Sequence, residues 1–316
     1  MQKIKVYGGV EITPIALGGT LRGVAANIEQ QFVLMDKYLA MGGNCIDSAR
    51  VYGETEGQSD AALGRWLKSR GGREKLVILT KGSHPSREAM HVSRLSKQEI
   101  EGDMDASLKA MGVDYSDIHL LHRDDPKIPV EEIMPVLDGL VKSGRTRAIG
   151  ASNWTGGRIA MANQFAAENG LTPFSISQMH FSLALTTPMQ IKDMTQVTMN
   201  DVEFGFYRET GMPVLAFGAI SRGYFQSIIL GRDIKPGAKL AYGYIAQNGR
   251  RAKRLAELSD QLGVSPTALL VAYVRDSGIH ASALCGFSRE SQMDEAFEAL
   301  TFTLSPAQIS YLEGGQ

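Results

Sequence analysis

Four polar residues lie at or just beyond the ends of apolar, strand-like runs in this sequence. Asp47 ends the run Cys-Ile-Asp, and Tyr52 follows five positions later. Lys81 ends Leu-Val-Ile-Leu-Thr-Lys, and His122 ends Ile-His-Leu-Leu-His. A carboxylate, a phenol, an ammonium and an imidazole at one mouth could orient a carbonyl oxygen and protonate it. Each residue alone has a structural explanation, as a turn, core or surface side chain. Their convergence predicts a catalytic site.

Tyr52 needs its neighbours to act as a proton donor. A phenol with a pKa near 10 is a poor acid at neutral pH, and lowering that pKa to near 7 needs roughly 4 kcal/mol. An exposed ammonium at about 4 Å contributes only about 1 kcal/mol in water. Lys81 must therefore act in a desolvated pocket, with Asp47 holding it charged and oriented. His122 could donate a hydrogen bond to the same carbonyl oxygen.

Short apolar runs alternate along the chain with longer amphipathic stretches. Strands are predicted at residues 14–18, 45–47, 76–81, 118–122, 148–151, 175–180, 214–217 and 282–286. Helices are predicted at 28–39, 59–68, 97–111, 130–143, 156–169, 190–209, 251–262 and 266–275. This alternation implies parallel strands, and eight such units can close into a (β/α)8 TIM barrel of the α/β class. Residues 3–6 and 10–12, around Gly8-Gly9, predict a short N-terminal β-hairpin.

A doubly wound open sheet is the competing fold. Against it, no G-x-G-x-x-G follows the first strand and no G-x-x-x-x-G-K-[ST] occurs. Composition does not divide the chain, so we expect a single barrel domain over residues 1–316. Because a parallel barrel gathers its chemistry at the carboxyl ends of the strands, the barrel would bring the four polar residues together.

Charge and composition limit the partners of this chain. The net charge is −1, which gives no reason to expect nucleic acid or an anionic membrane as a partner. No signal peptide and no membrane-spanning run is predicted, and the two cysteines, Cys45 and Cys285, indicate buried thiols in a reducing cytoplasm. No cluster of His and carboxylate residues has the spacing of metal ligands, so no metal is expected.

Over nearly its whole length, the chain resembles the aldo-keto reductase superfamily. The matching stretches are 44–53, 79–81, 95–108, 114–123, 144–153 and 215–223. The resemblance implies that Asp47, Tyr52, Lys81 and His122 form the catalytic tetrad. It also implies a (β/α)8 barrel that binds an extended nicotinamide cofactor without a Rossmann motif. Within the superfamily, a bacterial member of the potassium-channel β-subunit-like or general branch is expected.

The resemblance also implies contacts with the cofactor. Ser152, Asn153 and Gln178 match the residues that hold the carboxamide, and Phe217 matches an aromatic residue that stacks on the nicotinamide. The remaining matches are Gly19 and Thr20 in the first loop, Ser221, Arg222 and Gly223 around the pyrophosphate, and Gly286, Ser288, Arg289, Gln292 and Glu295 at the adenosine end. Ala296 stands where the family usually has an asparagine for the adenine. Because Ser288 and Arg289 can meet a 2′-phosphate, NADPH (NADP+) is favoured over NADH.

The expected activity is NADPH-dependent reduction of a small-molecule aldehyde or ketone. Loops near the mouth suggest Leu21, Arg50, His84, Trp154 and Tyr224 as substrate contacts, with the loop 84–94 as the first candidate for specificity. Two alternatives stay open: a nucleotide-binding sensor or accessory barrel without turnover, and a Schiff-base lyase that uses Lys81. The natural substrate, the direction of reaction and the oligomeric state do not follow from the sequence.

Overall fold

The computed structural model of the protein describes residues 3–19, 23 and 27–315. An antiparallel hairpin of β1 (Ile4–Lys5) and β2 (Glu11–Ile12) precedes a closed barrel of parallel strands. The barrel strands are β3 (Ile15–Leu17), β4 (Cys45–Asp47), β5 (Val77–Gly82), β6 (Ser116–Leu121), β7 (Thr146–Ser152), β8 (Phe174–His180), β9 (Val214–Phe217) and β10 (Ala281–Cys285). Each strand pairs with its neighbours in the chain, and β10 closes the barrel on β3. The predicted TIM barrel with its N-terminal hairpin is confirmed, and the open sheet is wrong.

Helices surround the barrel. Those in the described residues are α1 (Ile28–Ala40), α2 (Gln58–Arg70), α3 (Lys97–Met111), α4 (Val130–Lys142), α5 (Gly156–Asn169), α6 (Pro188–Ile191), α7 (Asp201–Thr210), α8 (Tyr224–Ile229), α9 (Pro236–Tyr242), α10 (Ala246–Leu262), α11 (Pro266–Asp276), α12 (Glu290–Phe297) and α13 (Pro306–Glu313). The bounds predicted for α3 and α5 are confirmed. The Ser96–Glu99 capping box fixes the start of α3, and Gly112 in the left-handed conformation ends it.

The predicted helix 190–209 is wrong. Lys192 adopts a left-handed conformation with φ 62° that ends α6, and Thr198 forms a bridge with His180. A new helix, α7, begins only after Asn200, whose side chain accepts hydrogen bonds from the backbone N–H groups of Val202 and Glu203. The chain between the two helices therefore crosses the carboxyl end of the barrel rather than its outer surface.

The barrel interior is filled by one apolar cluster to which all eight strands contribute. Alternate residues of each strand point into this cluster, because successive side chains of a strand face opposite ways. Val77 and Leu79 of β5 are examples, whereas Ile78 packs outward with the helices. At the amino end of the strands, Val6, Val10 and Ile12 of the hairpin join the same cluster. The hairpin thus plugs the barrel and leaves the carboxyl end as the open mouth.

Neither cysteine is bonded or reactive in this fold. Cys45 and Cys285 are free and buried, and burial raises the pKa of the Cys285 thiol to about 12. Within the described residues, the structure contains no helix with the length and apolar character needed to cross a membrane.

Candidate active site

The inward-facing positions of the strands become polar at the carboxyl end of the barrel. Inward apolar residues are followed two positions later by a polar one: Cys45 by Asp47, Leu79 by Lys81, Leu120 by His122 and Ile176 by Gln178. The period of two keeps these side chains in the lumen, above the apolar cluster. The geometry of the strands therefore places three of the four residues of the predicted tetrad at the mouth. The fourth, Tyr52, lies in the loop after β4.

Asp47 and Lys81 form an ion pair that is almost wholly removed from water. The Lys81 Nζ donates a short hydrogen bond to Asp47 Oδ1, and the Lys81 side chain has no exposed surface. Gln178 Nε2 donates to the same carboxylate oxygen at 2.9 Å. Burial alone would lower the pKa of Lys81, but the charge of Asp47 and the Tyr52 phenol raise it above its ordinary value. Lys81 is therefore held as an ammonium ion.

Tyr52 lies between Lys81 and His122. The Lys81 ammonium is 4.8 Å from the centroid of the tyrosine ring, and the ring of His122 meets it edge-on at 5.6 Å. Burial raises the pKa of the Tyr52 phenol above its ordinary value, and the Lys81 ammonium opposes this rise. The residues around Tyr52 in the sequence predicted a lowered pKa for its phenol. In this structure, desolvation outweighs the attraction of the ammonium, because the same burial that strengthens the ion pair also disfavours the phenolate.

His122 is held as a neutral imidazole. Its side chain is buried, and burial together with the positive charges of Arg123 and Lys81 lowers the pKa of His122 well below its ordinary value. The ring of His84 meets it edge-on with 4.7 Å between centroids. A neutral imidazole can donate a hydrogen bond to a carbonyl oxygen without transferring a full charge to it.

A buried carboxylate on α2 fixes the loop that carries Tyr52. Asp60 accepts hydrogen bonds from Ser48 Oγ at 2.5 Å and Ser107 Oγ at 2.9 Å, and its Oδ2 lies 3.5 Å from the Arg50 guanidinium. The Tyr52 carbonyl accepts from the backbone N–H of Ser59 at 3.3 Å. Arg50, predicted as a substrate contact, is therefore engaged in holding the loop, and the structure does not place it in the wall of the cleft.

A cleft of about 1440 Å³ opens at this end of the barrel. Tyr52, His122 and Asp47 lie in its wall at one end, and Arg289 and Glu295 lie in its wall at the other. Most of the residues predicted to contact a cofactor line it: Gly19, Ser152, Asn153, Gln178, Phe217, Arg222, Gly223, Gly286, Ser288, Arg289, Gln292 and Glu295. One continuous cleft thus joins the tetrad to the predicted adenosine end.

The positions predicted for the nicotinamide are buried and ordered by hydrogen bonds. Asn153 has a left-handed backbone with φ 59°, and its Nδ2 donates to Ser152 Oγ at 3.0 Å. Gln178 links this group to Asp47. Phe217 lies in the cleft wall with its edge against His180, at 5.5 Å between ring centroids. An aromatic face and several amide groups therefore lie next to the tetrad.

The predicted adenosine end of the cleft is more exposed. The Gln292 Oε1 atom accepts hydrogen bonds from Ser288 N, Ser288 Oγ and Arg289 N at 2.9, 3.0 and 3.2 Å. This arrangement shapes the loop before α12 and leaves the Arg289 side chain on the surface. Ala296, at the position where the family usually has an asparagine, is fully buried in the core. It cannot contact a ligand in the cleft.

Several predicted residues are not brought to the cleft wall. Thr20 and Leu21 lie outside the described residues. Ser221 is buried behind the wall. Trp154 is fully buried, with its ring edge-on to Phe174 at 5.3 Å, and Tyr224 packs against Tyr242 at 5.7 Å. Among the substrate candidates that the structure describes, His84 alone lines the cleft.

His180 and Arg123 are among the cleft residues that were not predicted from the sequence. His180 ends β8, lines the cleft and bonds through Nε2 to the Tyr242 hydroxyl at 3.0 Å. Burial and the charge of Arg222 lower the pKa of His180 to about 4. The position of His180 at a strand end is the same signal that identified His122. Arg123 is buried and donates to Asp193 Oδ2 at 2.9 Å, and this contact has no local sequence signal.

The cleft has features that fit an extended polar ligand. The Gln226 Oε1 atom, in the wall of the cleft, is buried and has no hydrogen-bond partner among the described residues. A side chain at Gly286 would place its Cβ 2.6 Å from the Gly18 carbonyl oxygen, so only glycine fits between these two backbone segments of the cleft wall. These residues fit a nicotinamide dinucleotide. Within the described ranges, no group of three or more His, Cys, Asp and Glu side chains is placed to hold a metal ion.

Comparison with known proteins gives fungal relatives. A Saccharomyces cerevisiae protein named "Probable aryl-alcohol dehydrogenase AAD4" is 30% identical over 301 residues, which cover 91% of this chain and 88% of the relative. Norsolorinic acid reductase of Aspergillus flavus is 26% identical over 321 residues, which cover 98% and 79%. Aldo-keto reductase ausK of Emericella nidulans is 29% identical over 325 residues, which cover 96% and 78%. These relatives give no support to the predicted bacterial, potassium-channel β-subunit-like branch.

The family model described as "Aldo/keto reductase family" matches residues 14–314 of the chain. The match spans the whole barrel and all four residues around the mouth. Together with the relatives named as reductases and dehydrogenases, it supports the prediction of an oxidoreductase. The chain is an oxidoreductase that belongs to the aldo/keto reductase family.

Proposed function

We propose that the protein reduces an aldehyde or ketone to an alcohol with NADPH, and that Tyr52 donates the proton. The observation that carries the proposal is the position of the buried Lys81 ammonium, which is paired with Asp47 and lies 4.8 Å from the ring centroid of Tyr52. Tyr52 and His122 meet at the same end of a cleft large enough for a dinucleotide. A small carbonyl compound is the substrate that this arrangement fits.

Each of the four residues has a separate role in the proposed proton transfer. The raised pKa of Tyr52 keeps the phenol protonated at neutral pH, so its proton is available to a carbonyl oxygen. When the proton leaves, the Lys81 ammonium stabilises the phenolate that forms, and Asp47 holds that ammonium in position. The neutral His122 donates a hydrogen bond that orients the carbonyl. The bound cofactor supplies the hydride.

The fully buried ammonium of Lys81 also favours the proposed reductase over a Schiff-base lyase. A lysine that forms a Schiff base has to attack as a neutral amine, so its pKa is lowered at such sites. The pKa of Lys81 is raised, and its amino group is bonded to Asp47. These contacts favour a positioning charge over a nucleophile.

Substitution of Tyr52 by Phe tests the proposed proton donor. The variant loses the hydroxyl and keeps the ring, so we expect kcat for NADPH-dependent reduction of benzaldehyde to fall about 10³-fold or more. The dissociation constant for NADPH, followed by fluorescence, should stay within about threefold. Tyr244→Phe, which changes an exposed tyrosine, is the matched control. Retained turnover in Tyr52→Phe would remove this residue from its role. NADPH binding without turnover of any carbonyl in the unmodified protein would favour the sensor barrel.

Arg289 is proposed to select NADPH over NADH. Its side chain is exposed beside Ser288 at the end of the cleft, where a guanidinium can bind a 2′-phosphate. Arg289→Ala should weaken NADPH binding about tenfold and leave NADH binding nearly unchanged. Arg250→Ala, on the exposed face of α10, is the control. Equal losses for both nucleotides in Arg289→Ala would contradict a role in phosphate recognition.

A further inference from the structure

His84 occupies the cleft wall beside the tetrad and is not used by the proposed chemistry. Its ring lies 4.7 Å from that of His122 between centroids, and the ring of His122 lies 5.6 Å from that of Tyr52. A carbonyl oxygen held by Tyr52 and His122 would therefore be close to the imidazole of His84. The same side chain lines the cleft, so a bound substrate can reach it.

One hydrogen bond fixes which nitrogen of His84 carries the proton. His84 Nδ1 lies 2.6 Å from the carbonyl oxygen of Pro85, and a carbonyl oxygen only accepts hydrogen bonds. Nδ1 is therefore the protonated nitrogen, and in the neutral ring Nε2 keeps a lone pair. Burial and the charge of Arg123 lower the pKa of His84 below its ordinary value, so the ring is neutral at pH 7. Nε2 is thus an acceptor on a half-buried side chain in the wall of the cleft.

The backbone around His84 is held firmly enough to make this acceptor a fixed feature. Ser83 has a left-handed backbone with φ 63°, and its N–H donates to Asp103 Oδ2 at 2.7 Å. Arg94 donates to the His84 carbonyl oxygen at 3.2 Å and to Asp103 Oδ1 at 2.9 Å. A loop that is tied at both sides to α3 loses little further entropy when a ligand binds.

We propose that His84 Nε2 accepts a hydrogen bond from a hydroxyl group of the substrate, and that the protein therefore prefers hydroxylated carbonyl compounds. This inference rests on the proposed carbonyl reduction and adds the substrate class to it. Tyr52 and His122 donate hydrogen bonds to the carbonyl oxygen of the substrate. His84 instead accepts a hydrogen bond from the hydroxyl group of the substrate. The wall formed by the rings of Tyr52, His122 and His84 suits a flat, aromatic substrate.

Matched pairs of substrates test this acceptor. 2-, 3- and 4-Hydroxybenzaldehyde are each compared with the corresponding methoxybenzaldehyde, because the methyl ether removes the donor and keeps the oxygen. We expect kcat/KM to favour the hydroxyl compound by about tenfold in at least one pair. In His84→Phe, the ratio of kcat/KM within each pair, which does not depend on the overall rate of the variant, should fall to within about threefold of unity. His84→Gln, which retains an acceptor oxygen, should recover part of the preference.

His91 provides the matched control in the same loop. It is exposed and does not line the cleft, so His91→Phe should leave the ratio unchanged. A ratio near unity for all three pairs in the unmodified protein would overturn the inference without any variant. An unchanged preference in His84→Phe would overturn it as well. Reduction of none of the aldehydes would instead overturn the proposed function, so the two failures are distinguishable.

Discussion

Two buried carboxylates, Asp47 and Asp117, lie at opposite ends of the barrel and have different surroundings. Asp117, near the start of β6, accepts a hydrogen bond from the Ile78 backbone N–H at 2.9 Å. It also pairs with Arg73 at 2.8 Å and with Arg147 at 3.3 Å. Asp47, at the end of β4, pairs with the fully buried Lys81 and lies in the wall of the cleft.

The two sites differ in how exposed the positively charged partner of each carboxylate is. The Arg147 side chain is 54% exposed, so the pair at the amino end keeps contact with water. The Lys81 side chain has no exposed surface, so its charge acts through a medium that screens it weakly. A buried carboxylate is thus a poor indicator of function by itself. The desolvation of its partner and the presence of an open cleft distinguish the two sites.

The largest expected effect is on activity, from loss of the buried ammonium. Lys81→Met should lower kcat for carbonyl reduction about 10³-fold, because the phenolate formed at Tyr52 loses its nearest positive charge. Lys142→Met, which removes the exposed lysine of another ion pair with an aspartate, is the control. Equal losses of kcat in both variants would contradict this prediction, since they would show that the burial of the ammonium is irrelevant to activity.

The same variant should change the pH dependence of the reverse reaction. Under the proposed mechanism, alcohol oxidation with NADP+ would need Tyr52 as the phenolate, so its rate should rise with pH as the phenol loses its proton. Lys81 opposes the rise in the pKa of Tyr52 that burial causes, and its removal raises that pKa further. The rising limb of kcat against pH should therefore move to higher pH in Lys81→Met. A limb that stays in place would show that a different group is titrating.

At the amino end, the expected effect is on stability. Asp117→Ala removes two ion pairs and leaves the Ile78 N–H without its acceptor, so the free energy of unfolding should fall by about 2–3 kcal/mol. Because this site is remote from the mouth, kcat should stay within about twofold. Denaturant unfolding measures the first quantity, with the exposed Asp114→Ala as the control. A large loss of activity in the folded variant would contradict a purely structural role for this end.

The smallest effect on stability is expected from a substitution in the N-terminal hairpin, which closes the amino end of the barrel. Ile12 is fully buried in the apolar cluster inside the barrel, and Ile12→Val should lower the free energy of unfolding by about 1 kcal/mol. Ile228→Val, at a position that is 37% exposed, should change it less. Equal changes in the two variants would show that the hairpin contributes little to the packing of the barrel.

Much of the fold could be predicted from local patterns. Apolar runs located the eight strands to within about two residues, and capping signals located the ends of α3 and α5. The prediction of one helix over 190–209 was wrong because the conformation of this segment depends on a residue that is distant in the sequence. Asp193 and Thr195 turn toward the buried Arg123, which donates to both. The Asn200 cap followed by Glu203 was a local signal that could have located the start of α7.

The candidate site was predictable where strand ends define it and unpredictable elsewhere. The structure brings Asp47, Lys81, Tyr52 and His122 together, and their roles remain predictions. Arg50 and Trp154 were expected near the substrate because their loops lead to the mouth. The structure turns Arg50 toward Asp60 and buries Trp154 against Phe174. Side-chain direction in a loop is set by neighbours in space, which sequence position does not give.

The barrel and the polar residues at its mouth follow from the sequence alone, because strand period and alternation are local properties of the chain. The tertiary structure sets how far each group is removed from water. It raised rather than lowered the pKa of Tyr52, since burial outweighs the charge of Lys81 there. It also fixed the tautomer of His84 through the Pro85 carbonyl. Desolvation and hydrogen-bond direction depend on atoms from several elements at once, and no single stretch of sequence contains them.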